Sequence, residues 1–146
     1  MAVFAGCEVP EDLLYDVDHD VWVRLNPDGS ATLGMTDFAQ ASCGKLVHIR
    51  FKAPGREFAR GGSLATIESS KWVGPFRAPF AGRLLATNEA AFAGDILAAN
   101  KDPYGAGWLV RMLPSEPVQL QTSMEAFEQY RLKIQQTGIQ CYRCAG

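Results

Sequence analysis

A mainly β fold with one short internal helix and one C-terminal helix is what this sequence predicts, and three observations predict it. Apolar and polar residues alternate through the middle of the chain, a strand–turn–strand pattern recurs there, and after Gln121 the apolar spacing changes from a period of two to that of a helix. At 146 residues, with 47% hydrophobic and 21% charged side chains, the chain fits one globular domain with a single core.

The elements follow in order. Residues 20–36 hold two alternating runs around Asn26-Pro27-Asp28-Gly29, whose proline, aspartate and glycine supply turn chemistry, so a hairpin is expected there. Residues 36–44 are long enough for about two helical turns, with Thr36 as N-cap and Gly44 as the stop. Residues 46–51, Leu-Val-His-Ile-Arg-Phe, alternate, and the expected buried face is Val47, Ile49 and Phe51. Residues 63–69 and 82–88 read as further strands. Thr122 followed by Glu125 reads as a capping box, and Met124, Phe127, Tyr130 and Ile134 fall at helical spacings as far as Gly138.

The repeat carries the functional question. Gly44-Lys45-Leu46 and Gly62-Ser63-Leu64-Ala65 are echoed by Gly82-Arg83-Leu84 and Gly94-Asp95-Ile96-Leu97-Ala98. Each half is expected to be a strand, a glycine-containing turn and a strand, the two packing face to face as a flattened barrel or sandwich. The segment between the halves, Ser69-Ser70-Lys71-Trp72-Val73-Gly74, then projects from one end as a hairpin tip. An exposed lysine in a turn is ordinarily a solvated charge. One at the pseudo-symmetry point of a duplicated β-domain is less ordinary.

Composition excludes several function classes. The net charge is −2 with no block of lysines and arginines, which speaks against a nucleic-acid footprint or a polybasic membrane anchor. The apolar runs are shorter than a bilayer span and the first residues lack the basic start of a secretory signal, so a cytoplasmic protein without membrane insertion is expected. Cys7, Cys43, Cys141 and Cys144 are unevenly spread, unlike a secreted disulfide framework, and are expected to be reduced. His19 and His48 have no nucleophile nearby in sequence, and the glycines of residues 56–62 and 103–107 do not form a phosphate loop. No catalytic residue and no resident metal are assigned.

Several segments together resemble the H protein of the glycine cleavage system, a lipoyl-carrying relative of lipoyl and biotinyl domains. The most specific are Gly34-Met35-Thr36-Asp37-Phe38-Ala39, Glu68-Ser69-Ser70-Lys71, Pro79-Phe80-Ala81-Gly82, Asn88-Glu89 and residues 100–108. The resemblance runs from about His19 to about Met112. It implies a barrel-sandwich hybrid of the lipoyl/biotinyl-carrier type; the carrier domain is expected over 1–118 including an N-terminal extension, with 119–146 forming a C-terminal helix and Cys-x-x-Cys tail packed on or extending from the same domain. It implies covalent lipoate on Lys71, attached by a lipoate ligase or lipoyl transferase, with Glu68, Ser69, Ser70 and Trp72 as recognition residues. The protein itself is then a carrier and not an enzyme. A mobile arm on a rigid scaffold raises the cofactor's effective concentration at each partner's active site.

Departures from the family pattern point to its partners. Cys43-Gly44-Lys45 stands where leucine-glycine-aspartate is usual, and Trp72-Val73-Gly74-Pro75 replaces a small-residue, acidic continuation. The tail adds Cys141-Tyr142-Arg143-Cys144, a spacing suited to a redox dithiol in which Arg143 favours thiolate character, or to half a zinc site. The tail beyond Gly138 is expected to be dispensable for the fold. These features resemble lipoate-binding proteins of sulfur oxidation, which work with a heterodisulfide-reductase-like complex, with Cys141, Cys144 and Cys43 as sulfur-handling candidates. The alternative is an aminomethyl carrier for the glycine cleavage enzymes. A biotinyl carrier is disfavoured because methionines do not flank Lys71, and an unmodified interaction protein is the remaining reading.

Overall fold

The predicted hairpin forms as β4 (Val21–Leu25) and β5 (Ala31–Met35), antiparallel, with Val21 opposite Met35 and Leu25 opposite Ala31. Its turn closes through Asn26 N–H to Ser30 O at 2.8 Å, and Gly29 sits at φ 91°, where a side chain would be strained. The computed structural model describes residues 2–145, and in it this hairpin is the centre of a larger sheet. β3 (Leu14–Asp16) flanks β4; β11 (Val110–Pro114) flanks β5 and is followed by β10 (Gly82–Thr87) and the short β7 (Glu57–Phe58), giving the order β3-β4-β5-β11-β10-β7. A second sheet, β6-β8-β9, contains β6 (Leu46–Phe51), β8 (Ser63–Ser69) and β9 (Val73–Arg77). One core cluster draws on both sheets: Val21, Val23 and Leu33 from the first meet Leu64, Ile67 and Phe76 from the second, all at most 3% exposed. This is the expected barrel-sandwich.

A second cluster lies on the other side of β4. Val21 and Val23 face the first cluster while Trp22, fully buried between them, faces the second, so the unbroken apolar run Val-Trp-Val marks a strand covered on both faces. The indole Nε1–H donates to Pro103 O at 2.8 Å. Opposite it Gly34 has no room for a side chain, since a Cβ would lie 2.5 Å from the indole ring. The second cluster is completed by α1 (Asp37–Cys43), the hairpin of β1 (Ala2–Phe4) and β2 (Cys7–Val9), and α4 (Ser123–Thr137).

Both helix signals read from sequence are present. Thr36 Oγ1 accepts from Ala39 N–H at 3.2 Å and Gly44 follows the last turn of α1. Thr122 Oγ1 accepts from Glu125 N–H and Glu125 Oε1 accepts from Thr122 N–H, the reciprocal capping box, while Gly138 ends α4 at φ 73°.

Four expectations need correction. Val47 is 58% exposed, because a register shift between Leu46 and His48 places an extra residue in β6 and turns Leu46, not Val47, into the core; Ile49 and Phe51 keep their inward face. The second half of the repeat is not strand–turn–strand: after β10 come α2 (Glu89–Gly94) and α3 (Ala98–Lys101), with Asp95-Ile96-Leu97 between them. Met124 is 83% exposed, and the buried stripe of α4 is Ala126, Tyr130 and Ile134. Finally, the tail beyond Gly138 is packed: Cys141 is buried in the second cluster.

Candidate functional site

Lys71 stands at the tip of the β8–β9 hairpin. Glu68 pairs with Val73, and Ser69 closes the loop twice, with its N–H and its hydroxyl both donating to Trp72 O, at 2.8 and 2.9 Å. Ser70 and Lys71 are thus the two loop residues. Their backbone is held from below: Ser70 N–H donates to Lys45 O at 3.0 Å and Lys71 N–H to Cys43 O at 3.3 Å. Gly44 makes this approach feasible, because at φ 80° any Cβ would sit 2.4 Å from Ser70 Oγ. The Lys71 side chain is exposed, and among the described residues its Nζ has no hydrogen-bond or ion-pair partner. A fixed backbone therefore presents a free amine.

The neighbours form the rim. Glu68 and Ser70 are exposed, whereas Ser69 is buried and spent on the loop. Trp72 is 42% exposed; its ring lies along β9 over Gly74, where a Cβ would come within 2.1 Å. Trp72, Val73 and Val47 give the tip an exposed apolar surface.

Beside the hairpin is a cavity of about 460 Å³ lined by Lys71, Trp72 and Arg77, by Asp18, His19 and Asp20 of the β3–β4 connection, and by the apolar Met35, Ile67 and Phe76. Asp20 adopts φ 59°, and its Oδ1 accepts from Tyr130 Oη–H at 2.9 Å and from Lys133 Nζ at 3.3 Å. Burial holds its carboxyl above the ordinary carboxylate range, against the pull of the Lys133 ammonium. His19 Nδ1 lies 2.7 Å from Asp16 Oδ2, a local structural contact. Cys43 lines the same cavity. Burial pushes its thiol pKa up, only partly opposed by Ser69 and by the Lys71 charge, so it rests as a thiol. Asp18, Asp20 and Arg77 were not singled out from sequence: no periodicity or motif marks them, and only the meeting of the β3–β4 connection with the hairpin assembles them.

The structure brings Glu68, Ser69, Ser70, Trp72 and Cys43 around Lys71 and leaves the tail cysteines elsewhere. Cys141 is joined to Cys7 in a disulfide with a Cα–Cα distance of 4.8 Å, spanning 134 residues. Cys144 is a half-buried free thiol and Cys43 a buried one. The expected all-reduced state and the Cys141–Cys144 dithiol are therefore both corrected. Residues distant in sequence are brought together by α4, which returns the tail to the β1–β2 hairpin, and a Cys141 bound to Cys7 has no thiolate to give a zinc ion. Among the described residues no helix is long and apolar enough to cross a membrane.

Comparison with known proteins finds relatives along nearly the whole chain. A sequence profile described as glycine cleavage H-protein matches residues 13–137. The chain is 37% identical over 142 residues to glycine cleavage system H protein 2 of Aquifex aeolicus, covering 94% of this chain and 88% of that one. It is 38% identical over 148 residues to a probable glycine cleavage system H protein 2 of Sulfolobus acidocaldarius, covering 98% and 99%. A crystal structure of a glycine cleavage system H protein from Mycobacterium marinum superposes with a TM-score of 0.75 at 31% identity, covering 84% of this chain and 98% of that one.

Proposed function

The chain belongs to the glycine cleavage H-protein family, and we propose that Lys71 is the residue on which it carries its lipoate and that the glycine cleavage enzymes are its partners. Proteins of this family are lipoyl carriers without catalytic activity of their own. The observation that carries the assignment of Lys71 is the contrast within one residue: its backbone is fixed by the β8–β9 loop and by Cys43 O, while its Nζ is free and exposed. Acylation of that amine removes a charge that no carboxylate pairs with among the described residues, so no ion pair there is broken by it. The lipoyl group, when bound, supplies a disulfide that exchanges two electrons and holds cargo between enzymes.

The residues here do the rest. Ser69 and Gly44 shape the loop that a lipoate ligase or lipoyl transferase must enter, and Glu68, Ser70 and Trp72 are the exposed groups it meets there. The cavity beside Lys71 offers an apolar floor for a hydrocarbon arm and, at Asp18, a carboxylate suited to an amine-bearing cargo. That charge favours the aminomethyl reading.

One observation favours the second reading, a carrier in sulfur oxidation that works with a heterodisulfide-reductase-like complex: the Cys43 thiol lines the cavity that adjoins Lys71. A single assay separates the two. Fully lipoylated protein is supplied to a glycine decarboxylase and an aminomethyltransferase with glycine and tetrahydrofolate, beside an authentic carrier. Carbon dioxide release approaching that of the authentic carrier is expected; negligible release together with sulfur loading of the reduced arm supports the second reading instead. Recovery of only unmodified Lys71 peptide from lipoate-replete native cells defeats both.

A further inference from the structure

We propose that the Cys7–Cys141 disulfide is a redox latch that holds the C-terminal tail against the buried polar network beneath the Lys71 loop, so that reduction by a dithiol loosens the loop as well as the tail.

The tail is seated in a fitted place. Cys141 N–H donates to Ala5 O at 2.9 Å, and Ala5 and Gly6, the turn of the β1–β2 hairpin, have φ values of 52° and 78°. A Cβ on Gly6 would lie 2.6 Å from Cys141 O. A turn with a non-glycine residue at positive φ costs stability, and here it is the turn that receives the tail. Beyond Cys141, Tyr142 O accepts from Gln40 Nε2, Arg143 pairs with Glu8 and lies 3.5 Å from Asp37 Oδ1, and Cys144 N–H donates to Asn100 O at 3.0 Å.

Gln40 and Asn100 join this tail to the loop. Both are only 1% exposed. Asn100 Nδ2 donates to Gln40 Oε1 at 3.2 Å and to Gly44 O at 2.9 Å, while Asn100 Oδ1 accepts from Leu46 N–H at 3.0 Å. The segment so held, residues 43–46, supplies the carbonyls of Cys43 and Lys45 that anchor Lys71 and Ser70. Removing Tyr142 O and Cys144 N–H leaves a buried amide hydrogen of Gln40 and the carbonyl of Asn100 short of a partner, which a packed network does not tolerate without shifting.

The chemistry balances with one co-reactant class. A dithiol attacks one sulfur of Cys7–Cys141 as thiolate, and its second thiol resolves the mixed disulfide. The dithiol becomes a disulfide, and its two electrons and two protons leave Cys7 and Cys141 as thiols. A reduced lipoyl group is a dithiol of this class, and that connection alone rests on Lys71 being the lipoyl lysine; the latch does not. Cys141 is 8% exposed, so attack on the bond requires a local opening of the segment around it.

The test uses the full, unlipoylated chain, so its failure and that of the lipoyl assignment are distinguishable. Alkylation in denaturant followed by intact mass is expected to modify two cysteines, Cys43 and Cys144, before treatment with dithiothreitol and all four after it. Hydrogen exchange read by NMR is then compared in the two states. Exchange at the amides of Gly44, Leu46, Ser70 and Lys71 is expected to quicken at least ~10-fold on reduction, beyond any change at Val23 and Leu33, which report global opening. Cys7→Ser is expected to exchange rapidly with or without dithiothreitol; if it does not fold, reduction of the wild-type chain carries the test. Four alkylated cysteines in the oxidised protein overturn the proposal, as do loop amides that stay unchanged or only follow Val23 and Leu33.

Discussion

Lys71 and Asp20 show how the environment sets what a single side chain does. Among the described residues the Lys71 ammonium has no hydrogen-bond or ion-pair partner to lose, so Lys71→Arg should unfold within about 0.5 kcal/mol of the wild type, as surface changes usually do. The guanidinium cannot form the amide, so intact mass after incubation with a ligase and lipoate should show one added group on the wild type and none on the variant. Among the carboxylates, burial raises Asp20 whereas Asp28 is held low by hydrogen bonds from the Ser30 hydroxyl and N–H. Carbon-detected NMR should therefore see Asp20 protonate first on acidification and Asp28 well after it. The two linkages have opposite signs. The folded state binds the Asp20 proton more tightly than the unfolded chain, so this group's contribution is largest below the ordinary carboxylate pKa and declines as pH rises through the raised one. That of Asp28 is present above the ordinary value and is lost as pH falls through the depressed one.

Among the elements, the β8–β9 hairpin and α4 divide the work. The hairpin is a presenting device: its loop is shut by Ser69 and docked on the α1–β6 connection, so the lysine is displayed without the loop being floppy. α4 is a covering device whose Ala126, Tyr130 and Ile134 seal the outer face of β3 and β4. Its start depends on the capping box, so Thr122→Ala should destabilise the protein by about 1 kcal/mol in urea unfolding, with lipoylation unchanged. In the β4–β5 hairpin, Gly34→Ala drives a methyl into the buried Trp22 indole and should cost about 1–3 kcal/mol, accompanied by a change in tryptophan near-UV signal.

At the scale of the whole molecule, one disulfide closes nearly the full chain. Chain-entropy reasoning for so long a loop gives an upper figure of about 5 kcal/mol, and removal of such bonds typically costs about 2–5 kcal/mol. With roughly 4 °C of Tm per kcal/mol for a chain of this size, reduction should lower Tm by roughly 8–20 °C, and Cys7→Ser should match the reduced wild type. Cys144→Ser should leave Tm unchanged, because Cys144 contributes its backbone N–H and not its thiol.

The sequence by itself determined what is local. The turn at 26–29, the caps at Thr36 and Thr122, the stops at Gly44 and Gly138, and the exposed lysine between two strands all depend on residues within a few positions of one another, and all are present. The family, too, was legible, because its motifs are contiguous runs. Tertiary structure decided whatever depends on residues far apart. The bulge that exposes Val47 arises from how β6 must meet β8, not from its own alternation. Gly94-Asp95-Ile96-Leu97-Ala98 turns from α2 into α3, whose Asn100 reaches Gly44 O of the α1–β6 connection, although the same glycine-aliphatic pattern makes a strand in the first half. Cys141 is joined to Cys7 and not to Cys144 because α4 delivers the tail to the β1–β2 turn, where Cys141 N–H donates to Ala5 O. The cavity beside Lys71 exists only where the β3–β4 connection meets the hairpin, a proximity that no spacing along the chain encodes.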